Sequence, residues 1–499
     1  MKVILVNDVR QACYLDSVAL MRYSKTLMQV DGVVEAAMMM GTPANREIMT
    51  NAGLLGPDAR SASGGDLIIG VRAENAKAAQ AALDEAKRLV EQPSGNRGSR
   101  MAWRPRSIRA AVASQPDANL ALISVAGEFA VAEARKAIRR GLHVMIFSDN
   151  VALSDEVSLK REARELGCLV MGPDCGTSII NGVPLAFANR VPRGNVAIVG
   201  ASGTGIQEVS CLIAAAGGGI SQAIGVGGRD LTRDVGGIST LMALDALESD
   251  SGTDHIVVIS KPPAEDVTTT ILSRIAKSAK TFTLCFIGAQ ACDLPANARL
   301  APTLKLAAQY ALQDGNPLPG FDVNNAARPA GSGRRWVRGL YCGGTLCAEA
   351  QVVFAQANQP VASNVPVPGA SSLALGGNTH TLIDLGDDQY TRGRPHPMID
   401  PSVRDAALTD ALKDRSTAVI LVDIVIGYGA HEDPAGSLVN GLAGSTADRP
   451  LIVASVTGTD GDPQGRALQV AALEQAGVLV APSNADAAHL ALACLQCHG

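Results

Sequence analysis

Short apolar runs alternate with helical patterns along almost the whole chain. In the first part of the chain, apolar runs at 2–6, 33–40 and 66–71 predict strands, and periodic stretches at 16–28 and 74–90 predict helices. Residues 1–92 therefore predict a small α+β domain of ferredoxin-like type. The Pro-, Gly- and Ser-containing stretch that follows, 92–100, predicts a linker.

From about residue 119 the alternation becomes regular, with one helical pattern after each strand-like run. Strands that alternate with helices form parallel sheets through right-handed crossovers. We therefore predict a Rossmann-like domain of CoA-binding type at 105–190, a ligase-like domain at 191–320 and a flavodoxin-type domain at 336–499. A polar linker at 324–335 precedes the last of these.

Composition supports an α/β protein and excludes several partners. The 499 residues are 47% hydrophobic and include 51 Gly, as suits buried parallel strands and tight strand-to-helix turns. Aromatic residues make up 3% and the formal net charge is −5, which argues against nucleic acid as a partner. No apolar stretch has membrane-spanning length or the form of a signal peptide, so we expect a soluble cytoplasmic protein.

The ten cysteines have no framework spacing, which predicts free thiols in a reducing compartment. The run from Cys494 to His498 matches the haem-attachment pattern, but without an export signal it favours a helix end with two incidental thiols. No Cys–His quartet or His pair with metal-ligand spacing occurs, so we predict no metal site.

The sharpest local motif is the segment 196–208, where a buried strand enters a turn of small residues and then a helix. Ser202, Gly203, Thr204 and Gly205 form this turn. The first backbone amides of a helix and the helix dipole favour an anion such as phosphate, and the two hydroxyls add donors. The alternative is a tight turn with a purely structural role.

Two further strand ends carry candidate substrate contacts. Gly227, Gly228 and Asp230 follow one strand, where Asp230 either positions a cation or polar substrate group or caps a turn. Asp174 and Cys175 follow another. Cys175 is either a nucleophile or a small packed residue, and the absence of an adjacent histidine favours packing.

A loop in the last domain holds two arginines and a histidine between prolines. Arg392 or Arg394 suits bidentate binding of a carboxylate, and His396 suits acid–base work on a backbone that prolines stiffen. The alternative is a solvated polar loop. Three more substrate-binding candidates follow neighbouring strands and are expected to converge with this loop: Asp423, Thr457 and Thr459.

These motifs resemble those of a known family. The segments 172–175, 202–204 with Glu208, and 225–230 resemble the α subunit of succinyl-CoA synthetase, and the last domain, with Asp384 and Asp423, is similar to the CoA-ligase domain of its β subunit. With the loop at 394–397, the whole chain resembles the FdrA family. The resemblance implies tandem doubly wound domains and a phosphoryl group held by the helix that begins after Ser202.

The chain also departs from the succinyl-CoA synthetases. Their phosphohistidine lies in a Gly-His-Ala-Gly loop, whereas the matching stretch here reads Gly288, Ala289, Gln290. The glycine loop that binds CoA is reduced to the segment 124–128, and no ATP-grasp domain is present. A phosphohistidine relay is therefore not expected, and no cofactor is assigned with certainty; CoA belongs to the alternative below.

The resemblance implies carbamoyl or acyl transfer through a carbonyl phosphate, namely oxalurate plus phosphate interconverted with oxamate plus carbamoyl phosphate in allantoin breakdown. In that hypothesis the catalytic residues are His396, Arg394 and Glu208. One alternative is an NDP-forming acyl-CoA synthetase; another is a non-catalytic scaffold or sensor. Companion subunits and a homo- or hetero-oligomer are expected in each case.

Overall fold

The computed structural model describes residues 3–11, 13–15, 17–91, 105, 107–290, 293–312, 317–373, 378–391, 395–444 and 449–497. The chain divides into two compact units. Unit 1 comprises residues 1–142, 148–152 and 391–395, and unit 2 comprises 143–147, 153–390 and 396–499. In the described ranges, no helix has both the length and the apolar character needed to cross a bilayer.

Unit 1 begins with a three-stranded antiparallel sheet covered by helices. Its elements are β1 (Ile4–Arg10), α1 (Ser17–Met28), β2 (Val33–Met40), α2 (Pro43–Asn51), a 3-10 turn (Pro57–Ala59), β3 (Leu67–Ala73), α3 (Ala76–Glu91), α4 (Ile108–Ser114), β4 (Leu120–Ile123) and α5 (Gly127–Ile138). The strand order is β1-β3-β2. Helix α3 buries Ala78, Ala82 and Ala86 in the core with β3, because residues at this spacing share one helix face. The small α+β domain is thus confirmed.

Unit 2 contains two seven-stranded sheets, each mostly parallel. The elements of its first part are β5 (His143–Ile146), α6 (Leu153–Glu165), β6 (Val170–Met171), β7 (Thr177–Ile180), β8 (Val183–Ala186), β9 (Val196–Gly200), α7 (Gly203–Ala215), β10 (Ile220–Gly225), α8 (Ile238–Glu248), β11 (His255–Ser260), α9 (Glu265–Ile275), β12 (Thr281–Phe286), β13 (Ala298–Leu300), α10 (Leu304–Ala311) and α11 (Val323–Ala326). The order of the first sheet is β13-β12-β11-β9-β10-β7-β8.

The hairpin β7–β8 differs from the sequence-based expectation. Its strands pair antiparallel with each other, and β7 pairs antiparallel with β10. The hairpin therefore adds two strands to one edge of the first sheet, although both strands precede residue 191, where we predicted a domain boundary. Hairpin strands as short as four residues, Thr177–Ile180 and Val183–Ala186, carry too little periodicity to be recognised beside the longer buried runs.

The second sheet has the order β16-β15-β17-β14-β18-β19-β20. Its elements are β14 (Trp336–Tyr341), α12 (Gly344–Gln356), β15 (Val361–Ser363), β16 (Ser371–Ser372), β17 (His380–Asp384), α13 (Asp388–Thr391), a 3-10 turn (Pro401–Arg404), α14 (Asp405–Lys413), β18 (Thr417–Val425), α15 (Pro434–Leu442), β19 (Leu451–Thr457), α16 (Arg466–Gln475), β20 (Leu479–Ala481) and α17 (Asn484–Gln496). All residues of β18 are buried, as expected for a central parallel strand covered on both faces. The α/β class with parallel sheets is confirmed.

The two sheets of unit 2 repeat one arrangement. In each, a central strand leads into a buried helix, β9 into α7 and β14 into α12, and three further strands follow on the same side. The helices begin with the same spacing, Gly203-Thr204 before Glu208 and Gly344-Thr345 before Glu349. At one edge of each sheet, the strands β13 and β20 lead into an Ala-Pro pair and then a hydroxyl residue that caps the next helix: Thr303 for α10 and Ser483 for α17.

Candidate functional site

The N-termini of α7 and α12 meet at the carboxyl ends of their sheets. The hydroxyls of Ser202 and Thr345 lie 2.5 Å apart, and a Cβ built on Gly343 would lie 2.9 Å from the methyl group of Thr204. Each helix thus contributes the equivalent position to the contact. Both helices are largely buried, so their first turns are the parts that reach the site.

Several amides at this junction are free to bind a ligand. The Ser202 hydroxyl accepts a hydrogen bond from the amide of Gly205 at 3.0 Å, which caps α7, whereas no side chain caps α12. Within the described part of the chain, the amides of Gly203, Thr204, Gly344 and Thr345 donate to no group. Two half-open helix ends with unsatisfied donors form a concentrated positive potential. This junction fits an oxyanion such as phosphate.

The two helix ends face different neighbours. A Cβ built on Gly203 would lie 3.0 Å from the hydroxyl oxygen of Thr177, whereas a Cβ built on Gly344 would lie 2.6 Å from Oδ2 of Asp384. A neutral hydroxyl therefore lies beside the first residue of α7, and a carboxyl group lies beside the first residue of α12. Burial raises the pKa of Asp384 to about 6.

His396 lies beside Asp384. A Cβ built on Gly386 would lie 2.7 Å from Nε2 of His396 and 3.2 Å from Oδ1 of Asp384, so both side chains converge on this glycine. Nδ1 of His396 accepts a hydrogen bond from the amide of Met398 at 3.2 Å. Burial lowers the pKa of His396 to about 4, which keeps the ring neutral near pH 7, with its proton on Nε2.

Asp423 holds the turn before α12 in place through hydrogen bonds to its backbone. Its carboxylate accepts hydrogen bonds at 2.7 Å from the amides of Cys342 and Gly343, and Arg404 donates to Oδ1 at 3.0 Å. Asp423 is fully buried, and burial raises its pKa although the Arg404 charge opposes this. The geometry gives Asp423 a positioning role; direct contact with substrate stays a prediction.

Glu208 makes hydrogen bonds to the C-terminal part of the chain. On α7, Glu208 accepts hydrogen bonds from the hydroxyl of Thr457 and, at 3.0 Å, from the amide of Asn484 at the start of α17. The side chains of Glu208 and Thr457 are both buried. Burial raises the pKa of Glu208. Both oxygens of the carboxylate are engaged by these donors, and a direct catalytic role for Glu208 stays a prediction.

Glu349 makes the reciprocal contact and was not singled out from the sequence. Its carboxylate accepts hydrogen bonds from the amide of Leu304, at the start of α10, at 2.6 Å and from the side chain of Asn484 at 2.7 Å. Glu349 is fully buried; burial, with a smaller contribution from the nearby Glu208 charge, raises its pKa to about 7. The repeated Gly-Thr-x-x-x-Glu spacing is the signal that identifies this residue in the sequence.

The remaining candidates have mixed placements. Asp230 is fully buried; it accepts from the Lys160 ammonium at 2.7 Å and from the amide of Thr240 at 2.9 Å, so it holds together the region around α8. Cys175 is buried and burial raises the pKa of its thiol to about 11, which opposes a nucleophilic role. Thr459 donates its hydroxyl to the carbonyl of Arg190.

Other candidates remain predictions without further support. Asp174 and Gly228 are exposed, whereas Gly227 is buried with a φ of 84°. Arg392 and Arg394 lie outside the described residues. In the described part of the chain, no cluster of three acidic, histidine or cysteine side chains is arranged to hold a metal ion.

The chain is similar over its length to a bacterial protein. It is 39% identical over 503 residues to the "Uncharacterized protein YahF" of Escherichia coli, covering 97% of each chain. The chain belongs to the YahF family. Residues 1–105 of this YahF-family chain match a sequence model described as "AllF, heavy metal-associated domain".

The two repeated parts of unit 2 match models that concern CoA. Residues 192–288 match "CoA binding domain" and 340–494 match "CoA-ligase". The first match falls on the segment that we predicted to be ligase-like, not on 105–190. The chain is 28% identical over 153 residues to the α subunit of "Succinate--CoA ligase [ADP-forming]" of Methanothermobacter thermautotrophicus, 30% of this chain and 51% of that one. The succinyl-CoA synthetase-like fold expected for this YahF-family chain is confirmed.

Solved structures include more distant matches. The dinucleotide-forming acetyl-coenzyme A synthetase 1 of Ca. Korarchaeum cryptofilum has 15% identity and a TM-score of 0.34, covering 80% of this chain and 86% of that one. An ATP citrate lyase of Methanothrix soehngenii has 19% identity and a TM-score of 0.33, covering 42% and 37%.

Proposed function

We propose that this protein is an acyl-CoA synthetase-type enzyme of the NDP-forming kind that holds the phosphoryl group of an acyl phosphate between the N-termini of α7 and α12. The observation that carries the proposal is the pair of facing helix ends with unsatisfied amides at Gly203, Thr204, Gly344 and Thr345. The match of both flanking domains to CoA-related models supports CoA as the acyl acceptor.

The chemistry fits this arrangement. In acyl exchange between CoA and phosphate, negative charge gathers on the phosphoryl oxygens and on the carbonyl oxygen of the tetrahedral intermediate. Fixed amide donors stabilise such charge without reorganising. His396, a neutral ring with a proton on Nε2, converges with Asp384 on Gly386, and we assign it the role of hydrogen-bond donor to the acyl group.

The test is the double variant Ser202→Ala/Thr204→Ala. Loss of both hydroxyls removes donors to a charged ligand, so we expect at least a tenfold weaker affinity for inorganic phosphate and a similar loss in phosphate-dependent release of CoA from succinyl-CoA. Titration calorimetry and chromatographic detection of CoA measure the two quantities.

A matched control is Ser107→Ala. Ser107 caps α4 in unit 1 as Ser202 caps α7, since its hydroxyl accepts from the amide of Ala110 at 3.2 Å. This variant is expected to bind phosphate like the wild type. Equal affinity in the double variant and the wild type would refute the phosphate assignment.

Carbamoyl transfer is a second candidate. Its support is the match of residues 1–105 to an AllF domain, together with the absence of histidine from the stretch Gly288–Gln290. Both parts of unit 2 match domain models that concern CoA, and part of the chain matches the succinate–CoA ligase subunit, so carbamoyl transfer ranks second. Membership of the FdrA family, which implies carbamoyl transfer, is likewise a proposal.

One pair of assays separates these functions. Release of carbamoyl phosphate from oxalurate and inorganic phosphate would favour carbamoyl transfer, whereas acyl-CoA formation from carboxylate, CoA and a nucleoside triphosphate would favour the synthetase. Because the succinate–CoA ligase relatives are named as subunits, we extend the proposal to companion subunits that supply nucleotide chemistry, and both assays are run with and without them. Phosphate binding without turnover in either would indicate a sensor or scaffold.

A further inference from the structure

Asp384 stands at the junction, and the proposed phosphate site does not use its side chain. Asp384 is the last residue of β17 and its exposure is 8%. Oδ1 accepts a hydrogen bond from the amide of Gly386 at 2.9 Å, whereas Oδ2 receives no hydrogen bond within the described ranges. Oδ2 is directed at Gly344, where an added Cβ would lie 2.6 Å away. A buried carboxylate thus presents its free oxygen to the first residue of α12.

The repeat within unit 2 makes this placement distinctive. The position that corresponds to Asp384 is Gly225, because Gly200 pairs with Gly225 in the first sheet as Tyr341 pairs with Asp384 in the second. The side chain beside Gly203 is instead that of Thr177 from the hairpin, whose hydroxyl donates to the carbonyl of Phe187 at 2.6 Å. A phosphoryl dianion is accepted more easily at α7, where the neighbour is neutral, than at α12, where a carboxyl group stands. The two ends are in contact through Ser202 and Thr345, so a phosphoryl group at α7 lies next to the carboxyl group at α12.

We propose that Asp384 is the phosphoryl acceptor of this site, which accordingly passes through an aspartyl phosphate. The inference rests on the proposed function. Oδ2 attacks the phosphorus of an acyl phosphate held at α7; the bond between Oδ2 and phosphorus forms, and the bond between phosphorus and the acyl oxygen breaks. The electron pair of that bond leaves with the carboxylate product, and no proton or redox partner is required.

The energetics of this step are balanced. Substrate and aspartyl phosphate are both acyl phosphates, so the transfer is close to isoenergetic and the phosphoryl group remains transferable to an acceptor such as a nucleoside diphosphate. Oδ2 is directed at Gly344, so the free amides of Gly344 and Thr345 at the start of α12 are the donors available to the new phosphoryl oxygens. These amides give the intermediate the same kind of support that α7 gives the substrate.

His396 does not compete for this role. Its Nδ1 accepts the hydrogen bond from the Met398 amide, so the neutral ring carries its proton on Nε2, the atom near Gly386. A protonated nitrogen has no lone pair for phosphorus. The ring is therefore placed to donate a hydrogen bond, and the carboxylate is the nucleophile.

The experiment uses acetyl phosphate labelled with ³²P in its phosphoryl group and the full chain. Wild-type protein is expected to acquire a covalent label that survives denaturation, is discharged by neutral hydroxylamine and falls to background in Asp384→Asn. The exposed neighbour Asp388 provides the matched control, because Asp388→Asn should label like the wild type. Mass spectrometry of borohydride-trapped protein locates the label.

Titration of Asp384→Asn with inorganic phosphate shows that its site is folded; removal of a negative charge should tighten binding severalfold. Three results overturn the inference: no label on wild-type protein that binds phosphate, a label that is stable to alkali and labile to acid, or a label that persists in Asp384→Asn. Each leaves the phosphate site itself intact, whereas failure of the Ser202→Ala/Thr204→Ala test removes the proposed function as well.

Discussion

At the scale of single residues, the site depends on glycines that leave room for other side chains. Gly344 accommodates the carboxyl group of Asp384, and Gly386 accommodates His396 and Asp384 together. Neither glycine has a φ in the left-handed region, so the requirement is for space and not for backbone freedom. A methyl group at either position would displace an acidic or basic side chain from the helix end.

The substitution Gly344→Ala tests this steric requirement. The added Cβ would lie 2.6 Å from Oδ2 of Asp384, so the carboxyl group must move. We expect affinity for inorganic phosphate to change by threefold or more while the melting temperature falls by only a few degrees. Calorimetric titration and thermal denaturation measure these. Gly320→Ala, where an added Cβ meets no atom within 4 Å, should leave both unchanged.

Glu349 predicts a pH dependence of stability. Its pKa is about 7 in the folded chain against 4.5 for the ordinary group, so folding binds a proton in this interval. The stabilisation is fully present below pH 4.5 and is lost as the pH rises from there through 7, by about 3 kcal/mol. In Glu349→Gln this component should vanish, so the decline in unfolding free energy between pH 5 and 8 becomes shallower.

Urea denaturation at several pH values provides the measurement. The control is Glu432→Gln, since Glu432 is an exposed carboxylate in the same sheet region. Parallel pH profiles for wild type and Glu349→Gln would mean that Glu349 is ionised throughout, held by the helix end of α10.

At the scale of elements, the sequence predicts most of unit 2 correctly. The central strands and the helix that begins after Ser202 follow from apolar runs and glycine turns, because buried parallel strands are apolar throughout. The contacts of Glu349 were not predictable in this way. The Gly-Thr-x-x-x-Glu spacing marks Glu349 as similar to Glu208, but its partners Leu304 and Asn484 lie in elements that only tertiary packing brings near.

The turn before α12 depends on one buried ion pair. Asp423 accepts from the amides of Cys342 and Gly343 and pairs with Arg404, so Asp423→Asn leaves a buried guanidinium without its countercharge. We expect a loss of about 3–5 kcal/mol in unfolding free energy, measured by denaturant titration. The exposed Asp410 of α14 serves as control, and Asp410→Asn should cost less than about 0.5 kcal/mol.

At the scale of the whole molecule, the two parts of unit 2 are held together by exchanged contacts. Glu208 of the first part accepts from Asn484 at the start of α17, and Glu349 of the second accepts from Leu304 at the start of α10. Each buried carboxylate therefore depends on a helix of the other part, and Asn484 contacts both. Separation would leave both carboxylates without their helix-end donors.

A chain cut between the two parts tests this coupling. A protease site inserted beside the exposed Ser332 should give fragments that still elute together in gel filtration, because the buried contacts persist after cleavage. The same cut in an Asn484→Asp background places a third acidic group beside Glu208 and Glu349 and should release the fragments. Dissociation of the cut wild-type chain would contradict this account.

The exchanged contacts also suggest how the chain arose. A residue of one part that meets a helix of the second, while the equivalent residue of the second meets the equivalent helix of the first, is the pattern of an isologous dimer of identical subunits. Unit 2 retains that symmetry within one polypeptide, as expected if an ancestral gene was duplicated and fused. Fusion freed the copies to diverge, and the difference between Gly225 in the first part and Asp384 in the second is one product of that freedom.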